Sequence, residues 1–175
     1  MSLLKEKMLI QEAKRWVGIT EQGGNNHGQL VELFQRTAGG LANGEPWCMS
    51  FAQYCIQEVD ASVVHALVLG CPDKKSQLFK SEHCLTVWNK SQDLKIDTPR
   101  PGSLCIWQQG QTASGHVGIV VDVNADGSIM TVEGNTSRDL SAGALAQVEG
   151  DGVWLKRRCL DTNGSLRLKG FLRVW

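Results

Sequence analysis

The sequence predicts an α+β fold, with helices in the amino-terminal part packed on an antiparallel sheet formed by the rest. Three observations carry this. Apolar residues recur at helical spacing as far as Val59, they recur in short strand-like runs from Ser103 onward, and Pro99-Arg100-Pro101-Gly102 breaks the chain between the two regimes. Helices followed by strands argue for segregated rather than alternating elements, and hence for an antiparallel sheet.

The first helix is expected over Leu3 to Val17, where Leu3, Met8, Leu9, Ile10, Ala13, Trp16 and Val17 follow a helical pattern and Gly18 closes it. After a loop at Glu21 to Asn26, residues His27 to Ala38 place Leu30, Val31, Leu33 and Phe34 at helical spacing and end in Gly39-Gly40. Pro46 then stands where a first-turn proline belongs, and Cys48, Phe51, Ala52, Cys55 and Val59 form one apolar stripe. Cys48 therefore falls in the first turn of a buried central helix. The stretch Ala61 to Pro101 is less patterned, with an apolar run Val63 to Leu69, a turn at Gly70-Cys71-Pro72-Asp73 and a short helix. Strands are expected at Leu104 to Gln108, His116 to Asp122, Ser128 to Glu133, Val153 to Cys159 and Leu166 to Val174. Asn124-Ala125-Asp126-Gly127 supplies the hairpin turn between the second and third.

With 175 residues, 42% of them hydrophobic, the chain suits one domain spanning 1–175. Eighteen basic and eighteen acidic side chains cancel, so no global field draws in nucleic acid or an anionic membrane. Gly152 to Trp175 is locally basic, a run that reads as a solvated sheet edge or, alternatively, as a face for an acidic polymer. The first ten residues mix charges into a helical pattern and do not read as a signal peptide. No apolar stretch approaches the roughly 20 residues of a membrane span. Synthesis in the cytoplasm is expected, and with it free thiols for the six cysteines. Cys55, Cys71, His83 and Cys84 are too irregularly spaced for a zinc site, so Cys71 and Cys84 read as scattered thiols, and Cys55, Cys105 and Cys159 as core filler.

Ser114-Gly115-His116-Val117-Gly118-Ile119-Val120-Val121-Asp122 and Thr131-Val132-Glu133-Gly134-Asn135-Thr136 read as strands carrying polar residues unusual for a core. A cysteine attacks as thiolate, and an unperturbed thiol of pKa ~8.5 is mostly protonated at neutral pH. A helix start at Cys48 and an imidazole at His116 would both favour the anion. Strand alternation places Glu133 and Asn135 on one face, where either could orient the imidazole as the third member of a triad.

Four motifs in order, Pro46-Trp47-Cys48-Met49-Ser50-Phe51, Pro101-Gly102-Ser103-Leu104-Cys105-Ile106-Trp107, Gly115-His116-Val117-Gly118-Ile119-Val120 and Val132-Glu133-Gly134-Asn135-Thr136, resemble a known family. It is that of the cysteine, histidine-dependent amidohydrolases/peptidases, or CHAP domains, relatives of the NlpC-type cell-wall peptidases. The resemblance implies a papain-like fold, Cys48 as nucleophile, His116 as general base, and Glu133 with Asn135 as orienting groups. It implies peptidoglycan amides as substrate and requires neither metal nor organic cofactor. Two departures stand out. The acidic residues that hold calcium in some members are reduced here to Glu45, and the papain-type oxyanion glutamine is absent from Leu41-Ala42-Asn43-Gly44. Oxyanion stabilisation would then fall to the Cys48 backbone N–H and Asn43. Trp47, beside the nucleophile, and Trp107 are the expected cleft aromatics, and the other tryptophans are expected in the core.

The expected activity is thus hydrolysis of a cell-wall amide, by an endopeptidase or N-acetylmuramoyl-L-alanine amidase passing through a thioester. The chain would act in the periplasm or wall after holin release, virion delivery or secretion-system injection. A monomer is expected, with an immunity protein as partner if it is an injected effector. Two alternatives stay open: a cysteine amidase for a small soluble amide, and an inactive binding scaffold on which Cys48 is only packing.

Overall fold

The computed structural model describes residues 2–62, 75–138, 150–160 and 166–175. Their elements run α1 (Ser2–Arg15), α2 (Gln29–Thr37), α3 (Cys48–Ala61), α4 (Cys84–Lys90), a 3₁₀ turn (Gln92–Leu94), then β1 (Lys95–Ile96), β2 (Leu104–Gln109), β3 (Gly115–Val123), β4 (Ile129–Thr136), β5 (Gly152–Arg158) and β6 (Leu166–Leu172). The expected α+β order holds. The expected run Val63 to Leu69, the turn at 70–73, Cys71 and His65 lie outside the described residues.

The six strands form one sheet in the order β1-β6-β2-β3-β4-β5, every pairing antiparallel. The short β1 was not expected from the sequence; two residues give no periodicity to read, and its place at the edge beside β6 comes from pairing alone. The hairpin between β3 and β4 closes where expected, with Gly127 N–H donating to Asn124 O at 3.0 Å and Gly127 at φ +81°.

Alternation along β2 and β3 divides the apolar residues between two cores. Leu104, Ile106, Val117, Ile119 and Val121 face α1 to α4, joining Leu9, Phe34, Phe51, Cys55 and Val87. Cys105, Trp107, Val120, Ile129, Leu166 and Phe171 pack together in a smaller cluster. Helix α3 sits centrally, with nine of its fourteen residues buried, which fits its apolar stripe. An ion pair ties the helical layer to the carboxyl terminus: Lys5 Nζ lies 2.9 Å from Asp60 Oδ1, which also accepts from Trp175 Nε1 at 2.8 Å.

The basic run near the carboxyl terminus is exposed at Arg157, Arg167, Lys169 and Arg173, as expected, but not at Lys156 and Arg158. Strand β5 is an edge strand, yet Lys156 is only 3% exposed and Arg158 only 9%. Lys156 Nζ donates to Ser137 O, and Arg158 turns inward onto a carboxylate.

Candidate active site

Cys48 is the first residue of α3, with Trp47 as its cap and no side chain capping that end. Pro46 therefore precedes the cap rather than occupying the first turn, a one-to-two-residue shift that leaves Cys48 at the helix start. The first N–H groups of a helix have no intrahelical acceptor and favour an anion beside them. Cys48 is buried, at 5% exposure. Its pKa is held well below the ordinary thiol value, first by a hydrogen bond with Cys84. Burial opposes this, and the neighbouring His116 and the Met49 N–H add to the lowering.

His116 enters from β3, opposite Trp107 in register and fully buried. Its Nε2 lies 2.8 Å from Glu133 Oε2, while Nδ1 is buried without a hydrogen-bond partner among the described residues and is the ring nitrogen left for the sulfur. Burial is the largest influence on this imidazole and pushes it toward neutrality. The neighbouring Cys48 and the bonded Glu133 carboxylate outweigh burial and raise its pKa to about 9.

Glu133 of β4 is buried without loss of charge because four donor groups converge on it. Besides His116, Thr131 Oγ1 donates to Oε1 at 2.5 Å, Arg158 Nε donates to the same oxygen at 2.8 Å, and Arg158 Nη2 donates to Oε2. Burial alone would raise its pKa, but the Arg158 charge and hydrogen bonds, then those of His116, hold it far below the carboxylate range. Arg158, Glu133, His116 and Cys48 thus form a series from β5 to α3 in which each group favours the charged form of its neighbour. A thiolate beside a protonated imidazole is the pairing that acyl transfer by a cysteine requires.

The remaining expected site residues fall elsewhere. A bulge interrupts the β4–β5 ladder between Glu133 and Thr136, and Asn135 adopts φ 53°, so simple alternation fails there. Asn135 Oδ1 accepts from Gly150 N–H at 3.4 Å, and its buried Nδ2 has no partner among the described residues. The group bonded to His116 is Glu133.

Trp47, expected to line a cleft, is fully buried. It stacks on Phe34 at 5.8 Å, and its Nε1 donates to Glu21 Oε1 at 2.9 Å. Trp107 is also buried, its ring 6.0 Å from that of His116 and 5.6 Å from Arg158 Cζ, so it backs the imidazole. Asn43 is exposed, in a loop pinned by Glu45, whose carboxylate accepts from Ala42 N–H at 2.7 Å and Asn43 N–H at 2.8 Å. No cluster of three or more metal-ligating side chains occurs among the described residues.

Three residues of the site were not singled out from the sequence. Thr131 and Arg158 complete the carboxylate's shell, and Cys84, at the start of α4, places its Sγ 3.6 Å from that of Cys48. A charged residue at an inward position of an otherwise patterned strand was the one available signal for Arg158.

A family model described as CHAP domain matches residues 40–135, more than half of the chain and inclusive of Cys48, Cys84, His116 and Glu133. No curated protein and no solved structure matches the chain.

Proposed function

The chain belongs to the CHAP domain family, and from that premise we propose that it is a cysteine amidohydrolase cleaving an amide bond of bacterial peptidoglycan. The observation that carries the catalytic reading is the buried series Cys48, His116, Glu133, in which the imidazole bonds the carboxylate through Nε2 and leaves Nδ1 toward the thiol. The cell-wall substrate rests on the family, whose members are amidases and peptidases that often act on this polymer.

In the proposed reaction the Cys48 thiolate attacks the amide carbonyl carbon and forms a carbon–sulfur bond. The negative charge moves to the carbonyl oxygen, toward the N–H of Cys48 at the helix start. As the carbon–nitrogen bond breaks, His116 gives its Nδ1 proton to the departing amine. Water then attacks the thioester, His116 takes one of its protons, and the carboxylate product leaves as the thiolate is restored. Glu133 stays ionised throughout, orienting the ring and stabilising the imidazolium. The described residues contain no helix long and apolar enough to cross a membrane. Delivery to the wall is proposed to be by a phage lysis system, a virion or an injection apparatus, with an immunity protein as partner in the last case.

Digestion of purified peptidoglycans by wild type and by Cys48→Ala, with fragments identified by mass spectrometry, tests this. New amino termini or free lactyl ends released only by wild type support it and name the bond. Folded wild type that releases no Cys48-dependent product from any wall type, and instead hydrolyses a soluble amide, moves the substrate away from peptidoglycan. Failure on both substrate classes overturns the enzyme reading.

A further inference from the structure

Of the buried thiols that the proposed mechanism leaves unused, Cys84 is the one in contact with Cys48. Cys84 opens α4, 36 positions along the chain from Cys48, yet the two sulfurs stand 3.6 Å apart, within hydrogen-bonding reach for a pair of thiols. Both side chains are buried, Cys84 at 4% exposure. The start of β3 is shaped to allow this approach. A Cβ at Gly115, directly before His116, would lie 3.0 Å from Cys84 Cβ, 3.3 Å from Leu85 Cδ2 and 2.7 Å from Trp107 O. Only a residue without a side chain lets the first turn of α4 lie against the strand that carries His116. Cys84 therefore touches both the nucleophile and the backbone that presents its base.

We propose that Cys84 is a positioning residue for the hydrolase, its S–H donating a hydrogen bond to the Cys48 sulfur and fixing that sulfur between α4, the α3 start and His116. This inference rests on the reading of Cys48 as nucleophile. The direction of the bond follows from the surroundings. Cys48 has a helix start and His116 to favour its anion, whereas the only charged group raising the energy of a Cys84 anion is Cys48 itself. Among the described residues, the side chains acting on the Cys48 charge are Cys84 from α4 and His116 from β3. Burial and the Cys48 sulfur together keep Cys84 a thiol, so it remains a donor where Cys48 is ionised. A hydrogen bond to a charged acceptor is stronger than one between neutral groups. When the acyl group transfers, the sulfur loses its charge and this bond weakens. When water resolves the thioester, the bond reforms and favours departure of the thiolate.

The test is the pH dependence of Cys48 alkylation by iodoacetamide in protein kept reduced with a phosphine, located by peptide mapping, for wild type, Cys84→Ala and Cys84→Ser. Cys55 and Cys105 compete poorly at low pH, because burial pushes both thiols up. The expected result is a Cys84→Ala protein whose alkylation at pH 6 is about tenfold slower. Its acid limb of kcat/KM should move to higher pH by a similar factor, and Cys84→Ser, which restores an O–H donor, should stay close to wild type. Thermal melts establish that the variants are folded. A folded Cys84→Ala protein with both limbs unmoved overturns the inference while leaving the hydrolase reading intact. Wild-type Cys48 that titrates as an ordinary thiol overturns the hydrolase reading, and this inference with it.

Discussion

His116 Nε2 and Glu133 Oε2 are 2.8 Å apart with both side chains fully buried, so on this side the imidazole is held by an ionised carboxylate shielded from solvent. This bond fixes which ring nitrogen faces the sulfur and, with Cys48, sets the pH range in which His116 is a proton donor. The imidazole pKa of about 9 lies above the ordinary 6.5 despite burial, which taken alone would lower it. Activity should therefore rise as Cys48 ionises, below the ordinary thiol range, and fall as pH passes about 9 and His116 loses its proton. In Glu133→Gln one of the two partners raising that value is weakened. The alkaline limb of kcat/KM should move down by about one pH unit, making the variant only about twofold slower at pH 8 but roughly tenfold slower at pH 10. An unmoved limb in a folded variant would show that Glu133 does not tune the base.

Arg158 keeps that carboxylate charged. Removing one partner of a buried ion pair leaves the other uncompensated, at a cost of about 3–5 kcal/mol, whereas removing both costs less. Arg158→Met should lower stability by that amount in urea denaturation. The double variant Arg158→Met/Glu133→Gln should be more stable than the sum of the single changes predicts. Strictly additive losses would mean that the guanidinium and carboxylate contribute independently.

Stability should also follow pH in a defined way. Glu133 has its folded pKa depressed, so its contribution is present above the ordinary carboxylate range near 4.5 and is lost as pH falls through its folded value. His116 has its folded pKa raised, so its contribution is full below 6.5 and is lost as pH rises through about 9. These two contributions are together largest between those ranges, at mildly acidic pH, while the depressed pKa of Cys48 adds stability as pH rises toward the ordinary thiol value and offsets the loss from His116. In Glu133→Gln the profile should flatten on both sides, a change that differential scanning calorimetry across pH 3 to pH 10 would detect.

Much of this site was legible in the sequence because its signals are local. Pro46 and the apolar stripe after it put Cys48 at a helix start, and a histidine among Val and Ile marked β3. What was not legible depends on three-dimensional closure. The choice between Glu133 and Asn135 turned on a bulge after Glu133, which alternation cannot anticipate. Trp47 was placed at a cleft by its adjacency to Cys48. In the fold, Gly134 lets β4 approach so closely that its missing Cβ would stand 2.9 Å from the indole and 2.7 Å from Phe51 Cβ, and the ring becomes core. Arg158 resembled the solvated charges around it until β4 supplied a buried partner. Cys84 had no local pattern linking it to Cys48 at all.

Two glycines should be as sensitive as the catalytic residues. A Cβ at Gly118 would meet Thr131 Cβ at 2.9 Å and Glu133 Cγ at 3.0 Å, and one at Gly134 would press on the first turns of α3. Overpacking of this kind costs about 1–3 kcal/mol. Gly118→Ala should also reduce kcat beyond its effect on folded fraction, because the displaced group is the carboxylate that orients His116. Full activity per folded molecule in Gly118→Ala would argue that the carboxylate has slack the distances do not suggest.

The 3.6 Å separation of the Cys48 and Cys84 sulfurs carries a redox consequence. A disulfide bond is about 2.05 Å long, so side-chain rotation with a small approach of α4 to α3 would close it. With a low-molecular-weight disulfide as oxidant, the Cys48 thiolate attacks one of its sulfurs and releases one thiol. The Cys84 thiol then gives up its proton and displaces the second thiol from the mixed disulfide. Two protein thiols are oxidised and one small disulfide is reduced to two thiols. Incubation with glutathione disulfide should abolish hydrolysis and remove two titratable thiols from the protein, and a phosphine reductant should restore both. Cys84→Ser should instead stop at the mixed disulfide, detectable as an added glutathione by intact mass. If wild type also stops there, the two sulfurs do not approach closely enough to bond, and the pair acts through its hydrogen bond alone.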